Sequence, residues 1–291
     1  MTILLTGATG KTGGAAAKAL ASKMGAAKGG LKLRALVRNA EKAQALKDLG
    51  IELVVGDIAD NAVLEKAFAG VDKALLLLPN SQKQLELEKN FTDLAKKAGV
   101  KHIVKVSSME SVPGATASIP ATHVASENHI RASGLAWTMV RPNFFMQNLL
   151  GNGRTIKEMG KFFLPCGNGC TAMSDTRDIG AVIAEVLSGT GHEGKSYDVT
   201  GPQVLTFAQA AEIIGSVIGK KVEYVDQPMA EYRAMLGKFI TNEWHLNAVC
   251  QLFAEIGEGG LNKTTDTVKK LLGREPASLE QFVREHIAVF K

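Results

Sequence analysis

The sequence predicts an α/β fold: a doubly wound parallel sheet with helices on both faces, followed by a smaller, mostly helical C-terminal region. Three observations carry this. Up to about residue 141, short apolar runs alternate with helical patterns, as βα units do. The runs are apolar at nearly every position, as strands covered on both faces should be. A glycine-rich turn directly follows the first of them.

In chain order, strands are expected at 3–6, 32–37, 52–55, 73–78, 102–106 and 137–140. Helices are expected between them at 13–24, 40–49, 62–68, 82–98 and 122–133. Gly50, Gly70, Gly99 and Gly134 stand just past the ends of four of these helices, where a left-handed C-cap suits glycine. After Pro142 the rhythm changes. Residues 143–169, rich in Gly, Phe and Met, read as loop and short helix, 178–187 as a helix, and 195–200 as a strand returning to the sheet. Further helices are expected at 206–218, with Thr206 as N-cap, and at 229–239, 243–256, 265–272 and 278–290. Ser278-Leu279-Glu280-Gln281 has capping-box spacing. The natural division is an N-terminal domain, 1–142, and a C-terminal region, 143–291. No repeat of 20–50 residues is visible.

Composition narrows the class. A chain of 291 residues that is 45% hydrophobic and 22% charged reads as an ordinary globular protein. Its apolar runs fall far short of the roughly 20 residues a membrane helix needs. The N-terminus enters a strand pattern at once, without a leader, so the cytoplasm is the expected location and no membrane partner is expected. Cys166, Cys170 and Cys250 cannot build a disulfide framework. Cys166 and Cys170 lack a second ligand pair, so no metal is expected. The net charge of +5 comes from scattered Lys and Arg, and aromatics are only 5%, which argues against a nucleic-acid face.

Thr6-Gly7-Ala8-Thr9-Gly10-Lys11-Thr12-Gly13-Gly14 follows strand one and opens the first helix. Glycines there allow a tight turn, close approach of backbone to a pyrophosphate, and tight helix packing, and the helix N-terminus offers amide N–H groups to the anion. This is the Rossmann fingerprint, with Gly7, Thr9, Gly10, Lys11, Thr12 and Gly13 as cofactor-binding residues. At the end of strand two an acidic residue would favour NAD(H), but the sequence reads Arg34-Ala35-Leu36-Val37-Arg38, with Lys42 following. Arg38, helped by Lys42, suits the 2′-phosphate, so NADP(H) is expected over NAD(H). Plain solvated charge is the alternative. Asp57 and Ile58, after strand three, are placed beside the adenine, although Asp57 serves equally well as the cap of the next turn.

The G-x-x-G-x-x-G spacing with Arg38, and Ser107-Ser108 after strand five, resemble the atypical short-chain dehydrogenase/reductases, within them the NmrA-like family. The likeness continues through 99–103, Ser133-Gly134-Leu135-Ala136-Trp137 and Arg141-Pro142-Asn143-Phe144-Phe145-Met146-Gln147-Asn148. It takes in Asp175-Thr176-Arg177-Asp178-Ile179-Gly180 and Tyr197-Asp198-Val199-Thr200-Gly201 as well. It implies a reductase of quinones, triphenylmethane dyes or azo dyes, transferring hydride from NADPH to a flat conjugated acceptor. A non-catalytic NADP(H) sensor with a regulatory protein partner is the alternative. A homodimer is left open. The wider family's Tyr-x-x-x-Lys is replaced by His123-Val124-Ala125-Ser126-Glu127. Spacing of four puts both ends on one helix face, where Glu127 would raise the His123 pKa and make it a proton donor. A polar face without chemistry is the alternative. Beyond the strand ends, Leu78, Pro79, Ser107, Asn143 and Phe144 are expected around the nicotinamide. Met109, Phe145, Met146, Phe163 and Trp244 are expected against the acceptor.

Overall fold

The computed structural model describes residues 1–24 and 30–291. Two compact units emerge. Unit 1 comprises Met1–Pro113, Thr122–Arg141 and Thr176–Tyr197; unit 2 comprises Gly114–Ala121, Pro142–Asp175 and Asp198–Lys291. The chain therefore passes between the units several times. Residues 176–197 return to unit 1 because the sheet there takes a further strand and helix.

Seven strands make the sheet: β1 (Thr2–Leu5), β2 (Lys32–Val37), β3 (Glu52–Val55), β4 (Lys73–Leu76), β5 (His102–Val106), β6 (Ala136–Pro142) and β7 (Lys195–Val199). Their order is β3-β2-β1-β4-β5-β6-β7. The pairs from β3 through β6 are all parallel, with Ile3 opposite both Leu33 and Lys73, and Ile103 opposite Trp137. The direction of winding reverses between β1 and β4, the switch point where open α/β sheets hold ligands. The helices are α1 (Lys11–Met24), α2 (Gln44–Asp48), α3 (Asn61–Phe68), α4 (Gln84–Lys97), α5 (Ser118–Ala132) and α6 (Thr176–Ser188).

Both faces of the sheet are covered. On one, Leu4, Leu36, Val54, Leu76, Ile103 and Met139 cluster with Leu64, Phe68, Phe91 and Ile130 from α3, α4 and α5. The alternate positions Ile3, Leu5, Ala35, Leu75 and Val104 are buried as well. On α6, Gly180 lets two helices touch: a Cβ there would lie 2.6 Å from that of Ala15 on α1. Gly50, Gly70, Gly99 and Gly134 all take positive φ, from 69° to 83°, as the helix ends require.

Unit 2 is mainly helical. A 3₁₀ segment, Met146–Asn152, leads into helix Gly153–Met159, and the later helices are Phe207–Ile218, Met229–Leu236, Glu243–Gly257, Thr267–Leu272, Leu279–Glu285 and Ile287–Phe290. Thr206 caps Phe207–Ile218 with a full capping box through Gln209. Ser278 accepts from the Gln281 N–H, but the Gln281 side chain turns to Glu285, so that box is half made. Two small sheets were not anticipated. Lys161–Leu164 pairs in parallel with Glu223–Asp226, and Cys170–Thr171 pairs antiparallel with Leu205–Thr206.

Deep in unit 1, the Thr138 hydroxyl donates to the His192 carbonyl at 2.6 Å, so it accepts from His102 Nε2 at 2.9 Å. Burial first, and then the charge of Lys73, push the His102 pKa down to about 4. Below pH 6.5 the unfolded chain takes up a proton that the folded chain refuses, so His102's contribution is intact above pH 6.5 and is lost as pH falls toward about 4. Urea denaturation across that window is expected to show falling stability, with a shallower fall in His102→Gln. Identical pH slopes in the two proteins would contradict this.

Candidate functional site

The glycine loop is shaped by close approach of backbone to backbone. Gly7 takes φ +66°, and a Cβ there would lie 2.7 Å from the Leu77 carbonyl oxygen. A Cβ on Gly13 would lie 2.2 Å from the Gly7 carbonyl oxygen, a distance no side chain tolerates. The Gly10 N–H donates to Gly7 at 2.9 Å, and the Gly14 N–H to Gly10 at 2.8 Å, closing the turn into α1. The Thr6 hydroxyl lies between the Leu75 carbonyl and the Leu77 N–H, both at 2.9 Å, and ties the end of β1 to that of β4.

This geometry sets the N-terminus of α1 at the switch point, where it could receive an anion. Thr9, Gly10 and Lys11 are exposed, Thr12 and Gly13 are buried, and the first turn of α1 holds no acidic residue. Its positive dipole end is therefore uncompensated within the helix. Arg38, at the end of β2, and Lys42, in the 3₁₀ turn Glu41–Ala43, are both exposed. The Asn39 side chain holds that turn by accepting from the Glu41 and Lys42 N–H groups at 2.8 and 3.2 Å. Arg34, in contrast, is committed to Glu52 and to the Ala67 and Ala69 carbonyls. The residues present thus fit a dinucleotide phosphate: a helix N-terminus opened by a turn too tight for a Cβ at Gly7 or Gly13, with cations at the end of β2.

Asp57 caps its turn, accepting from the Ala59 N–H at 2.8 Å, which is the second of the two roles open to it. Ile58 is half-buried beside it. Leu78 and Pro79 fall just past β4, which ends at Leu76. Ser107, just past the end of β5, is buried near the Glu127 carboxylate. Met109 is buried two residues on.

The expectation for His123 and Glu127 is corrected. Glu127 accepts from Arg141 through both carboxylate oxygens, including Nε at 2.9 Å, and from Arg131 at 2.7 Å. Burial alone would raise its pKa, but the hydrogen bonds from Arg141, with smaller help from nearby Ser107, outweigh this and hold it low. Glu127 thus has cationic partners of its own and does not charge its neighbour. His123 meets a different environment. Burial, then the ammonium of Lys105, keep its pKa well below the ordinary histidine value, so it is neutral and no imidazolium acid.

Sequence reasoning missed the group beside His123. Lys105 on β5 and Glu88 on α4 form a 2.6 Å ion pair with both side chains fully buried. Gln84 Nε2 donates to Glu88 at 3.1 Å and lies 3.5 Å from His123 Nδ1. The signal was present: Gln84 and Glu88 share the buried stripe of α4 with Phe91, Thr92 and Ala95, and Lys105 interrupts an apolar strand.

Asn143 and Phe144 belong to unit 2 and are engaged there. The Asn143 amide donates to the Leu261 carbonyl at 3.1 Å and accepts from the Phe144 N–H and the Thr171 hydroxyl. Phe144 packs edge-on against Phe207 at 5.7 Å. Phe145, Phe163 and Trp244 are half-buried. Met146 is buried and borders, with Met173 and Leu279, a recess with no room for a water molecule. Burial pushes the Cys166 thiol up to about 12, which leaves it unreactive. Among the described residues no group of His, Cys, Asp and Glu is arranged to hold a metal, and no helix is long and apolar enough to cross a membrane.

The sequence profile of the NmrA-like family matches residues 1–283. An NAD(P)H azoreductase of Xenophilus azovorans is 33% identical over 288 residues, covering 99% of each chain. The NADPH complex of an NADPH-dependent quinone oxidoreductase from Escherichia coli superimposes with TM-score 0.88 at 29% identity, covering 99% of this chain and 100% of that one. A triphenylmethane reductase of Citrobacter sp. in complex with NADP(H) gives TM-score 0.86, also at 29% identity, covering 98% and 99%.

Two outcomes follow from this geometry. Gly13→Ala should weaken NADPH binding by roughly 10-fold or more, since the loop must move to admit the methyl group. Fluorescence titration checks it, and unchanged affinity would contradict phosphate binding at this turn. Lys105→Met, which strands a buried carboxylate, should cost about 3–5 kcal/mol in urea denaturation, whereas Lys105→Met with Glu88→Leu should recover most of that loss.

Proposed function

The chain belongs to the NmrA-like family, and from that premise we propose that it is an NADPH-dependent reductase passing hydride to a quinone-like, azo or dye-like conjugated acceptor. The observation that carries this reading is the turn into α1, a loop that only glycine permits, with Lys11 exposed in it and Arg38 and Lys42 exposed after the neighbouring strand β2. Relatives named for NAD(P)H-dependent reductions support the reaction type.

The protein's part is binding, orientation and electrostatics. Loop amides and the α1 N-terminus take the pyrophosphate, while Arg38 and Lys42 take the 2′-phosphate that separates NADPH from NADH. When bound, the dihydronicotinamide supplies a hydride. Ser107 and Met109, beyond β5, are on the strand edge toward which a nucleotide seated at the β1/β4 switch point extends.

With His123 and Glu127 read in place of the wider family's tyrosine and lysine, that pair supplies no phenol to protonate an alkoxide. That suits acceptors whose reduced form is a delocalised anion able to take its proton from water, for which proximity and orientation supply most of the acceleration.

Purified protein mixed with NADPH and a panel of quinones, azo dyes and triphenylmethane dyes should consume the nicotinamide absorbance. No turnover with any acceptor, together with tight and redox-sensitive nucleotide binding, would favour a sensor instead. For cofactor choice, Arg38→Ala should lower kcat/KM for NADPH by roughly 10-fold or more while barely changing that for NADH, as loss of a charge-assisted contact implies. Equal losses would refute the assignment of Arg38 to the 2′-phosphate.

A further inference from the structure

The fully buried Lys105–Glu88 pair has no part in holding a nucleotide, and its placement is informative. Gln84 is the first residue of α4, Lys105 the penultimate residue of β5, and His123 stands in the second turn of α5. All three lie at the C-terminal edge of the sheet, the edge that carries the glycine loop, two strands from β1.

The hydrogen-bond pattern fixes the histidine. Glu88 can only accept, so the Gln84 amide must turn its NH2 toward the carboxylate and cannot be flipped without setting oxygen against oxygen. The same NH2 then faces His123 Nδ1, which must present a lone pair, and the imidazole proton falls to Nε2. The carboxylates of Glu88 and Glu127 are both already paired and do not favour imidazolium. Glu88 is neutralised by Lys105, and Glu127, on the same helix, is neutralised by Arg141 and Arg131. Burial and the Lys105 charge act in the same direction.

We propose that His123 acts as an uncharged hydrogen-bond donor, through Nε2–H, to the acceptor atom that gains negative charge as the hydride arrives. Gln84, Glu88 and Lys105 are positioning residues that fix its tautomer. In a quinone, the C4–H bond of the dihydronicotinamide breaks, its hydride forms a C–H bond to a ring carbon conjugated with a carbonyl, and the displaced π electrons move onto that carbonyl oxygen. Nε2–H hydrogen-bonds to that oxygen without giving up its proton; water protonates the oxygen, and loss of the new ring proton to water with protonation of the second carbonyl oxygen completes the hydroquinone. This role rests on the reductase reading, whereas the tautomer does not.

The experiment has two arms. Nitrogen-15 NMR of the histidine-labelled full chain should show His123 neutral, protonated at Nε2, and unchanged from pH 8 to pH 5. In Lys105→Met/Glu88→Leu, where nothing holds the Gln84 amide, the ring should lose its single Nε2–H tautomer and show a mixture of the two neutral forms; an unchanged pure Nε2–H form would deny the pair its positioning role. A wild-type His123 that titrates near 6.5, or carries its proton on Nδ1, would overturn the assignment whether or not the protein turns over. In the kinetic arm, His123→Phe should lower kcat by roughly 100-fold, the usual loss of one oxyanion donor. KM for NADPH should hardly move, and His123→Gln, which keeps a donor at the Nε2 position, should recover much of the rate. Equal kcat in the phenylalanine and glutamine variants would sink the donor role while leaving the reductase reading intact. An inactive wild type would sink both.

Discussion

Unit 1 depends on one steric constraint: the approach of Gly13 to the Gly7 carbonyl, where an added Cβ would come within 2.2 Å. Because α1 starts so close to the end of β1, its first-turn amides converge where two strand ends diverge. Gly180 extends the same economy of space to the other side of α1, letting α6 lie against Ala15. The first helix is thus held at both its loop and its outer flank by residues without side chains. Thr6 adds a polar lock, hydrogen-bonded to β4 across the switch point.

The C-terminal edge of the sheet carries charge in two contrasting forms. Lys11, Arg38 and Lys42 are exposed, and none of the ion pairs among the described residues involves them. Lys105, Glu88, Glu127 and Arg141 are paired, with the first two wholly out of water. Exposed cations cost little to hold ready for a phosphate. A buried ion pair adds little net stability over apolar residues of similar volume, so its presence calls for another reason. Fixing the amide of Gln84, and through it the ring of His123, is a reason consistent with every contact around the pair.

How much of this was legible in the sequence follows from what each feature depends on. The seven-stranded sheet could be read because its signals are local: apolar runs, glycine stops and a turn after the first strand. Gly50, Gly70, Gly99 and Gly134 adopt the positive φ their positions imply. The two small sheets of unit 2 were invisible because their pairs are distant in sequence; Lys161–Leu164 meets Glu223–Asp226. In the candidate site the tight glycine turn into α1 was readable from spacing alone. The mistake over His123 came from treating helix spacing as contact. Glu127 does share its helix with His123, but Arg141, at the end of β6, claims the carboxylate, and only tertiary structure brings that guanidinium there. Asp57 shows a related limit: the sequence left two roles open, and the structure shows one oxygen of its carboxylate in the turn.

The central claim is that this fold holds a nicotinamide so that its hydride passes directly to an acceptor. Single-turnover kinetics with NADPH deuterated on one or the other face of C4 tests it most directly. A protein that fixes the ring in one orientation will oxidise one labelled form more slowly than unlabelled NADPH and the other at an almost unchanged rate. Equal rates for both labelled forms under conditions where chemistry limits the step, or no oxidation of either, would contradict the account.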